Sequence, residues 1–339
     1  MKVCYISEYF SPLYGGQFTA IKGIIDICKF KKIKYVVIHK KSKIYSNKKI
    51  LEKTINKCDI VHIFGGWTPF YIKSSFIAHK LKKKIIIHPM GFYEPWSLSQ
   101  KRMKKYLAWN LYQKKMLLNA DFIHCASVKE EQNLKRLNSN FKTTILPFGI
   151  DQKDIVSKIS TKIKKRCLFF SRLHKGKGLD KLLKAWVDIN NKNWNLDIIG
   201  FGNEKYYKKL YDIKKYKKIR FLKPFSSKNR KFKTFEKYDL LVLPSTSENF
   251  GFVVLEALAR GLPVLTTNGT PWNIIQDKNA GWIINNSLIE LKLALHQIFG
   301  FSKKELINKK KNTIKIAKKF TKENLSGFYY KTYKKMLKN

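Results

Sequence analysis

Two carboxylates, Glu248 and Glu256, stand eight positions apart in Pro244–Pro263, PSTSENFGFVVLEALARGLP. The apolar run Leu240–Leu243 before them reads as a buried strand. Gly261 serves as a helix C-cap and Pro263 stops that helix before the next strand, Val264–Thr267. A strand, loop, helix, strand unit puts Glu248 in the loop beyond the strand's carboxyl end, where open α/β sheets bind ligands. Glu256 then lies little more than a helical turn further in. Gly251 lets the backbone approach a ligand closely, and the helix start offers unpaired N–H groups to a phosphate. Carboxylates for sugar hydroxyls and amides for phosphate together suit a nucleotide sugar.

Glu, seven residues and Glu, with Gly three positions after the first acid, EAL at the close and Thr270-Pro271-Trp272 beyond, resembles the donor-sugar signature of the retaining family-4 (group 1) glycosyltransferases, of the bacterial lipopolysaccharide and exopolysaccharide type. A second string, SRLHKGKGLDKLL at Ser171–Leu183, is similar to the family's strand-end pattern of Arg, spacer, Lys and Gly opening a helix. The resemblance implies that Arg172 and Lys177 contact the donor diphosphate, that Glu248 holds sugar hydroxyls and that Glu256 holds the ribose. Asn249, Phe250, Gly251 and Phe252 would line the donor. A departing nucleoside diphosphate gains negative charge, which fixed cations and helix N-termini stabilise without metal. No Asp-X-Asp occurs in the chain, in keeping with a metal-independent reaction without cofactor. Gly200-Phe201-Gly202 follows a strand and precedes a helix, and Tyr14-Gly15-Gly16-Gln17 lies between the first strand and the first helix. In the family such loops approach donor or acceptor; as bare patterns they are tight turns.

The stretch DIVHIFGGWTPF, then IIIHPMGFYEPWSL, resembles the acceptor domain of the bacterial enzymes. His88 ends the fourth strand, where several family members carry a functional histidine; related strings place it two residues later, at Met90 here. His62 and His39 read as structural, and Glu94 is a further polar group for the acceptor. Between Gln100 and Leu118 a basic helix carries Met103, Leu107 and Leu111 at four-residue spacing among Lys101, Arg102, Lys105, Lys114 and Lys115. Such a helix either lies on an anionic membrane or covers a core with its charged face in water. Leu146-Pro147-Phe148-Gly149-Ile150-Asp151 resembles the family's interdomain junction, with Phe148 in place of its asparagine.

The elements that must position these residues come in two series. Val3–Ile6, Tyr35–Ile38, Ile60–Phe64, Ile85–Ile87, Phe122–His124 and Thr144–Leu146 read as strands. The rhythm restarts with Cys167–Phe170, Leu196–Ile199, Arg220–Leu222, Leu240–Leu243, Val264–Thr267 and Trp282–Ile284. Strands alternating with helical segments predict parallel sheets flanked by helices. The expected fold is α/β, of the GT-B class that the resemblance implies: two Rossmann-like domains facing across a cleft. Residues 1–150 form the acceptor domain, 151–165 a polar hinge and 166–324 the nucleotide-sugar domain, with a final helix, residues 325–339, packing back on the first.

At 339 residues the chain exceeds one ordinary core. It carries a net charge of +47, with seven arginines against 63 lysines. Base-reading proteins lean on arginine for bidentate contacts, and no nucleic-acid-binding signature appears, so an anionic inner-membrane surface is the expected partner beside donor and acceptor. No apolar run is long enough to span a bilayer, the start lacks the pattern of a secretory signal, and five scattered cysteines read as reduced thiols. The expected location is cytoplasmic, peripheral on the inner membrane. The expected function is sugar transfer with retention from a nucleoside-diphosphate sugar to a glycan or lipid-linked acceptor in surface polysaccharide synthesis. Alternatives are a nucleotide-sugar epimerase or phosphorylase on the same fold, which would release no glycosylated product or need no nucleotide, and a polybasic nucleic-acid or membrane binder.

Overall fold

The computed structural model describes the chain apart from Leu13, Tyr14, Ser226, Asn339 and the side chain of Lys214. Two compact units emerge: Met1–Gly149 with Lys322–Asn339, and Ile150–Thr321.

The first unit holds a parallel sheet of β1 (Lys2–Ser7), β2 (Lys34–Ile38), β3 (Ile60–Phe64), β4 (Lys84–His88), β5 (Phe122–Cys125) and β6 (Thr143–Ile145), in the order β2-β1-β3-β4-β5-β6. Its central strands are buried on both faces, as a sheet covered on both sides requires. Alternation sorts the two faces. Cys4, Ile6, Val61, Ile63, Ile85, Ile87 and Ile123 pack in one core cluster. On the opposite face Tyr5, His62, His88 and His124 cluster, and His62 and His124 meet the helix Lys322–Lys338 through Tyr333 and Tyr329.

The second unit repeats the plan with β7 (Arg166–Phe170), β8 (Asn195–Ile199), β9 (Ile219–Leu222), β10 (Leu240–Leu243), β11 (Val264–Thr267) and β12 (Gly281–Ile284), in the order β12-β11-β10-β7-β8-β9. Strand order reverses between β7 and β10, which pair in parallel. In an open α/β sheet the ligand crevice lies outside the carboxyl ends at such a reversal.

The polar segment Asp151–Lys165 is tied to the second unit: Val156 N–H donates to Ala259 O at 2.9 Å and Lys164 N–H to Asp239 Oδ2 at 2.7 Å. The chain changes unit at Gly149/Ile150 and again at Thr321/Lys322. The basic stretch after Gln100 is a broken helix: α-helical Arg102–Ala108, a π turn Trp109–Gln113 and α-helical Lys114–Leu118. The wider turn carries one extra residue. Trp109 thereby reaches the rings of Tyr93 and Phe141, and Gln113 is buried, accepting the Trp67 N–H at 2.8 Å. Met103, Leu107 and Leu111 face solvent, 73%, 57% and 77% exposed, so this stripe does not cover the core.

Candidate functional site

In the second unit, the loops after β7 and β10 bring a cation onto an acid. Lys177 Nζ donates to Glu248 Oε1 at 2.7 Å, and the Ser245 hydroxyl donates to the same oxygen at 2.8 Å. Backbone contacts hold these loops in place. Thr246 N–H reaches Gly176 O at 2.9 Å and Glu248 N–H reaches Gly269 O at 3.1 Å, stitching the loops after β7, β10 and β11 together. Gly178 opens the helix Leu179–Ile189 at φ 71°, and a Cβ there would sit 2.1 Å from Pro244 O. Only glycine combines that conformation with that approach. Gly202 is similar on the other side: at φ 146° it bridges to Leu173, whose carbonyl lies 2.6 Å from where a Cβ would stand. Its backbone therefore sets the spacing between the loops after β7 and β8.

Arg172 stands exposed on the β7 loop, and among the described residues nothing bonds it to Lys177, Glu248 or Glu256. Glu256 lies in the helix Phe252–Ala259, capped by Gly251 at φ 76°, and is ion-paired with Lys231. Lys231 comes from the helix Lys228–Phe235 and its ammonium also lies 5.7 Å from the Phe170 ring centre at the end of β7. Asn249 and Phe252 are half-buried in this turn. The Phe250 ring is buried against Phe252, Trp272 and Phe320, and the Trp272 indole N–H donates to the Phe250 carbonyl, so this side chain packs the loop.

Sequence reasoning missed Ser245 and Lys231. Ser245 lay inside the PSTSE string and was readable as a neighbour of Glu248. Lys231 is one lysine among 63, and no local signal links it to an acid 25 residues later.

In the first unit, Gly15 caps the helix Gly16–Lys29 at φ 51°, and the Cβ positions of both Gly15 and Gly16 face open space. Tyr14 lies outside the described residues. His88 is fully buried at the end of β4. Its Nδ1–H donates to His124 O at 2.7 Å and its ring stacks on His124 at 4.2 Å, while Nε2 is buried with no partner among the described residues. Burial lowers its pKa to about 4, so the ring is neutral at pH 7. The neighbouring histidines form a relay of fixed polarity. His124 Nε2 is 2.6 Å from Leu146 O, a pure acceptor, so the proton sits on Nε2. His124 Nδ1 therefore accepts from His62 Nε2–H at 3.2 Å, and His62 Nδ1 accepts from the Tyr333 hydroxyl at 2.9 Å. Burial lowers the pKa of both. Among the described residues no group of three His, Cys, Asp or Glu is arranged to hold a metal ion.

Two further buried acids lie beyond β4 and β5. Glu94 accepts from Asn133 Nδ2 at 2.7 Å, and burial raises its pKa to about 7. Glu130 accepts from Ala126 N–H at 2.7 Å and Gly91 N–H at 3.1 Å, and burial raises its pKa to about 8. Glu94 had a possible sequence role; Glu130 had none, because its partners come from two separate loops.

Two parallel six-stranded α/β sheets in one chain, with an acid–cation pair at the reversal point of the second, define the GT-B class of fold. The family described as "Glycosyl transferases group 1" matches residues 151–320, half of the 339-residue chain, and the chain belongs to that family. It is 26% identical over 238 residues to the UDP-N-acetylglucosamine–peptide N-acetylglucosaminyltransferase GtfA subunit of Streptococcus agalactiae, covering 65% of this chain and 46% of that protein. The chain thus spans about half the length of that curated relative. An uncharacterized 41.2 kDa protein in the cps region of Klebsiella pneumoniae is 24% identical, with 84% of this chain and 82% of that one aligned. Among solved structures, Anabaena Alr3699/HepE in complex with UDP-glucose superposes with a TM-score of 0.75 at 16% identity, covering 99% and 100% of the two chains. Among the described residues no helix is long and apolar enough to cross a membrane.

Proposed function

We propose that the protein transfers a sugar, with retention, from a nucleoside-diphosphate sugar to a hydroxyl of a glycan or lipid-linked acceptor in surface polysaccharide synthesis. The observation that carries this reading is the Lys177–Glu248 pair at the carboxyl ends of β7 and β10. In the proposed reaction the bond between the anomeric carbon and the β-phosphate oxygen breaks. The acceptor oxygen bonds the same face of that carbon, and its proton passes to the leaving phosphate. Arg172 and Lys177 stabilise the charge on the departing diphosphate. Glu248 orients sugar hydroxyls and Glu256 the ribose, so neither is a nucleophile. No step calls for a metal. His88, neutral and buried, supports the strand end on the acceptor side.

The UDP-glucose in the Anabaena structure and the UDP-N-acetylglucosamine in the streptococcal name favour a uridine-linked donor. The Klebsiella relative's cps region favours a polysaccharide product. An anionic lipid surface is the proposed partner of the exposed Met103, Leu107 and Leu111 with Lys101, Arg102, Lys105, Lys114 and Lys115 around them. Each basic residue near such a surface adds about 1 kcal/mol of attraction.

A panel of UDP-, GDP- and other nucleotide sugars, read by thermal shift and then by nucleotide release onto glycan acceptors, tests the reading. A donor bound only by the folded state raises Tm by mass action. Stabilisation by one donor, followed by its transfer, is the expected result. Donor binding that yields an epimerised sugar and no glycosylated product would replace the transferase with an epimerase.

A further inference from the structure

The turn that follows β4 is unusual in its backbone. Met90 and Gly91 both have positive φ, 58° and 77°. For a long side chain such as Met90 this region is sparsely populated, and such a conformation persists only where its surroundings over-determine it. Within the turn, Phe92 N–H reaches Pro89 O at 3.1 Å and Glu94 N–H reaches Gly91 O at 3.3 Å. The other constraint comes from the helix Val128–Leu137.

Its first turn carries Ser127 as N-cap, whose hydroxyl accepts the Glu130 N–H at 3.2 Å. In a capping box the glutamate at this position reaches back to the N-cap's own N–H. Here the Glu130 carboxylate reaches further, taking Ala126 N–H with one oxygen and Gly91 N–H with the other. One helical turn on, Asn133 holds the Glu94 carboxylate. The helix therefore grips the loop from His88 to Glu94 at its middle and at its end. Glu130 is only 2% exposed, an expensive place for a carboxyl group unless its lone pairs are used.

We infer that Glu130 is a positioning residue for the sugar-transfer reaction, its carboxyl group fixing the strained turn behind β4 and with it the backbone that follows His88. This rests on the function proposed above. Glu130 touches no reacting atom; it acts through the turn. The charge that bears on it is Glu94 from the turn itself, whose own pKa Lys129 lowers against the effect of burial, while Glu130 together with Glu131, Lys135 and Glu94 acts on the Cys125 thiol at the end of β5.

The inference has a consequence at the level of protonation. A protonated carboxyl keeps one strong acceptor oxygen, as a glutamine amide does. The acid's hydroxyl oxygen can still accept the second backbone N–H, whereas in Glu130→Gln an NH2, a donor only, faces it. With its pKa raised to about 8 by burial, the held turn favours the protonated group, so the strap loosens in the wild type as pH rises through that value.

Hydrogen–deuterium exchange on the full chain, corrected for intrinsic rates, reads the strap without any substrate. In Glu130→Gln the peptide covering residues 88–94 is expected to lose about tenfold in protection, with peptides of the second unit unchanged. Turnover with UDP-glucose and UDP-N-acetylglucosamine reads the consequence. We expect kcat to fall about tenfold or more, since small misplacements carry large rate costs, with the donor KM held within about threefold. The gap between variant and wild type should narrow above pH 8, where the wild-type strap loosens. Glu131→Gln is the control, because the Glu131 carboxylate takes the Thr143 hydroxyl at 2.6 Å instead of the turn. Unchanged protection at residues 88–94 overturns the inference, and so does lost protection with unchanged kcat. If Glu130→Gln folds poorly, the wild type's own protection at these residues between pH 6.5 and 9.5 decides: it should fall as pH rises through about 8, and a flat or rising profile overturns the inference. If neither nucleotide sugar is turned over by the wild type, the fault lies with the proposed function, and the exchange result alone judges the strap.

Discussion

The two units share a strand plan and differ in how they carry polarity. In the second unit the candidate site is made of opposed full charges: Lys177 on Glu248 and Lys231 on Glu256, both only part-buried. In the first, the polar groups beyond the strand ends are buried and shifted toward neutrality, with three histidines lowered and two glutamates raised. A part-buried ion pair can exchange its partner for a ligand charge at modest cost. A buried neutral group cannot, since charging it without a partner is costly. Under the proposed function, ligand charge is recognised in the second unit, while the polar groups of the first hold shape.

The sharpest way to break it is at the ion pairs. Glu248→Gln, or Lys177→Ala, should lower kcat/KM for the true donor by about 10²–10³, while circular dichroism and Tm stay near wild type. Full activity in either variant would end the charge-recognition reading. Next in size is a fold effect within the second unit. Asp197, fully buried in β8, would be pushed up by burial, but Arg220, Arg166 and Tyr238 hold its carboxyl below the usual range. Asp197→Ala leaves the Tyr238 hydroxyl and two part-exposed arginines without their acceptor and should cost about 1–3 kcal/mol in denaturant unfolding. A loss under about 1 kcal/mol would show that buried charge is as dispensable here as at the surface.

Stability against pH separates the units on a finer scale. The fold favours neutral His62, His88 and His124, so their contribution is whole above the ordinary histidine value of 6.5 and is lost as pH falls toward 4, the value of His88. It favours protonated Glu94 and Glu130, so theirs is whole below 4.5 and is lost as pH rises through about 7 and 8. Tm should therefore peak in mildly acidic buffer, and Glu130→Gln should flatten the alkaline side. A Tm rising steadily from pH 6 to pH 9 would contradict this. The smallest effect concerns the exposed stripe: Leu111→Glu should weaken sedimentation with phosphatidylglycerol vesicles several-fold and leave binding to neutral vesicles and donor turnover unchanged. Equal binding by variant and wild type would remove the lipid partner.

How much was readable in advance follows the same division. Each of the twelve strands overlaps a run read from the sequence; the central ones stand out because strands covered on both faces must be largely apolar, while the edge strands β2, β6 and β9 are only partly buried. The donor-side string is legible because Glu248, Gly251 and Glu256 are local to one loop and helix, where spacing translates directly into geometry. The broken helix after Gln100 was not, since a π turn is a response to what Trp109 and Gln113 must reach, not to local propensity. Nor was the attachment of Asp151–Lys165, a polar, lysine-rich stretch whose anchors, Asp239 and Ala259, come from distant parts of the chain.

The sequence by itself determined the two series of parallel strands and the residue types gathered at Pro244–Pro263 and Ser171–Leu183, because both depend on periodicity and near neighbours. Only the tertiary structure decided that Lys177 rests on Glu248, that Lys231 partners Glu256, that the three histidines lie on one buried face, and that Glu130 holds the turn after His88. Each of these joins residues far apart in the chain, whose proximity is set by strand order and packing, and no spacing along the sequence encodes them.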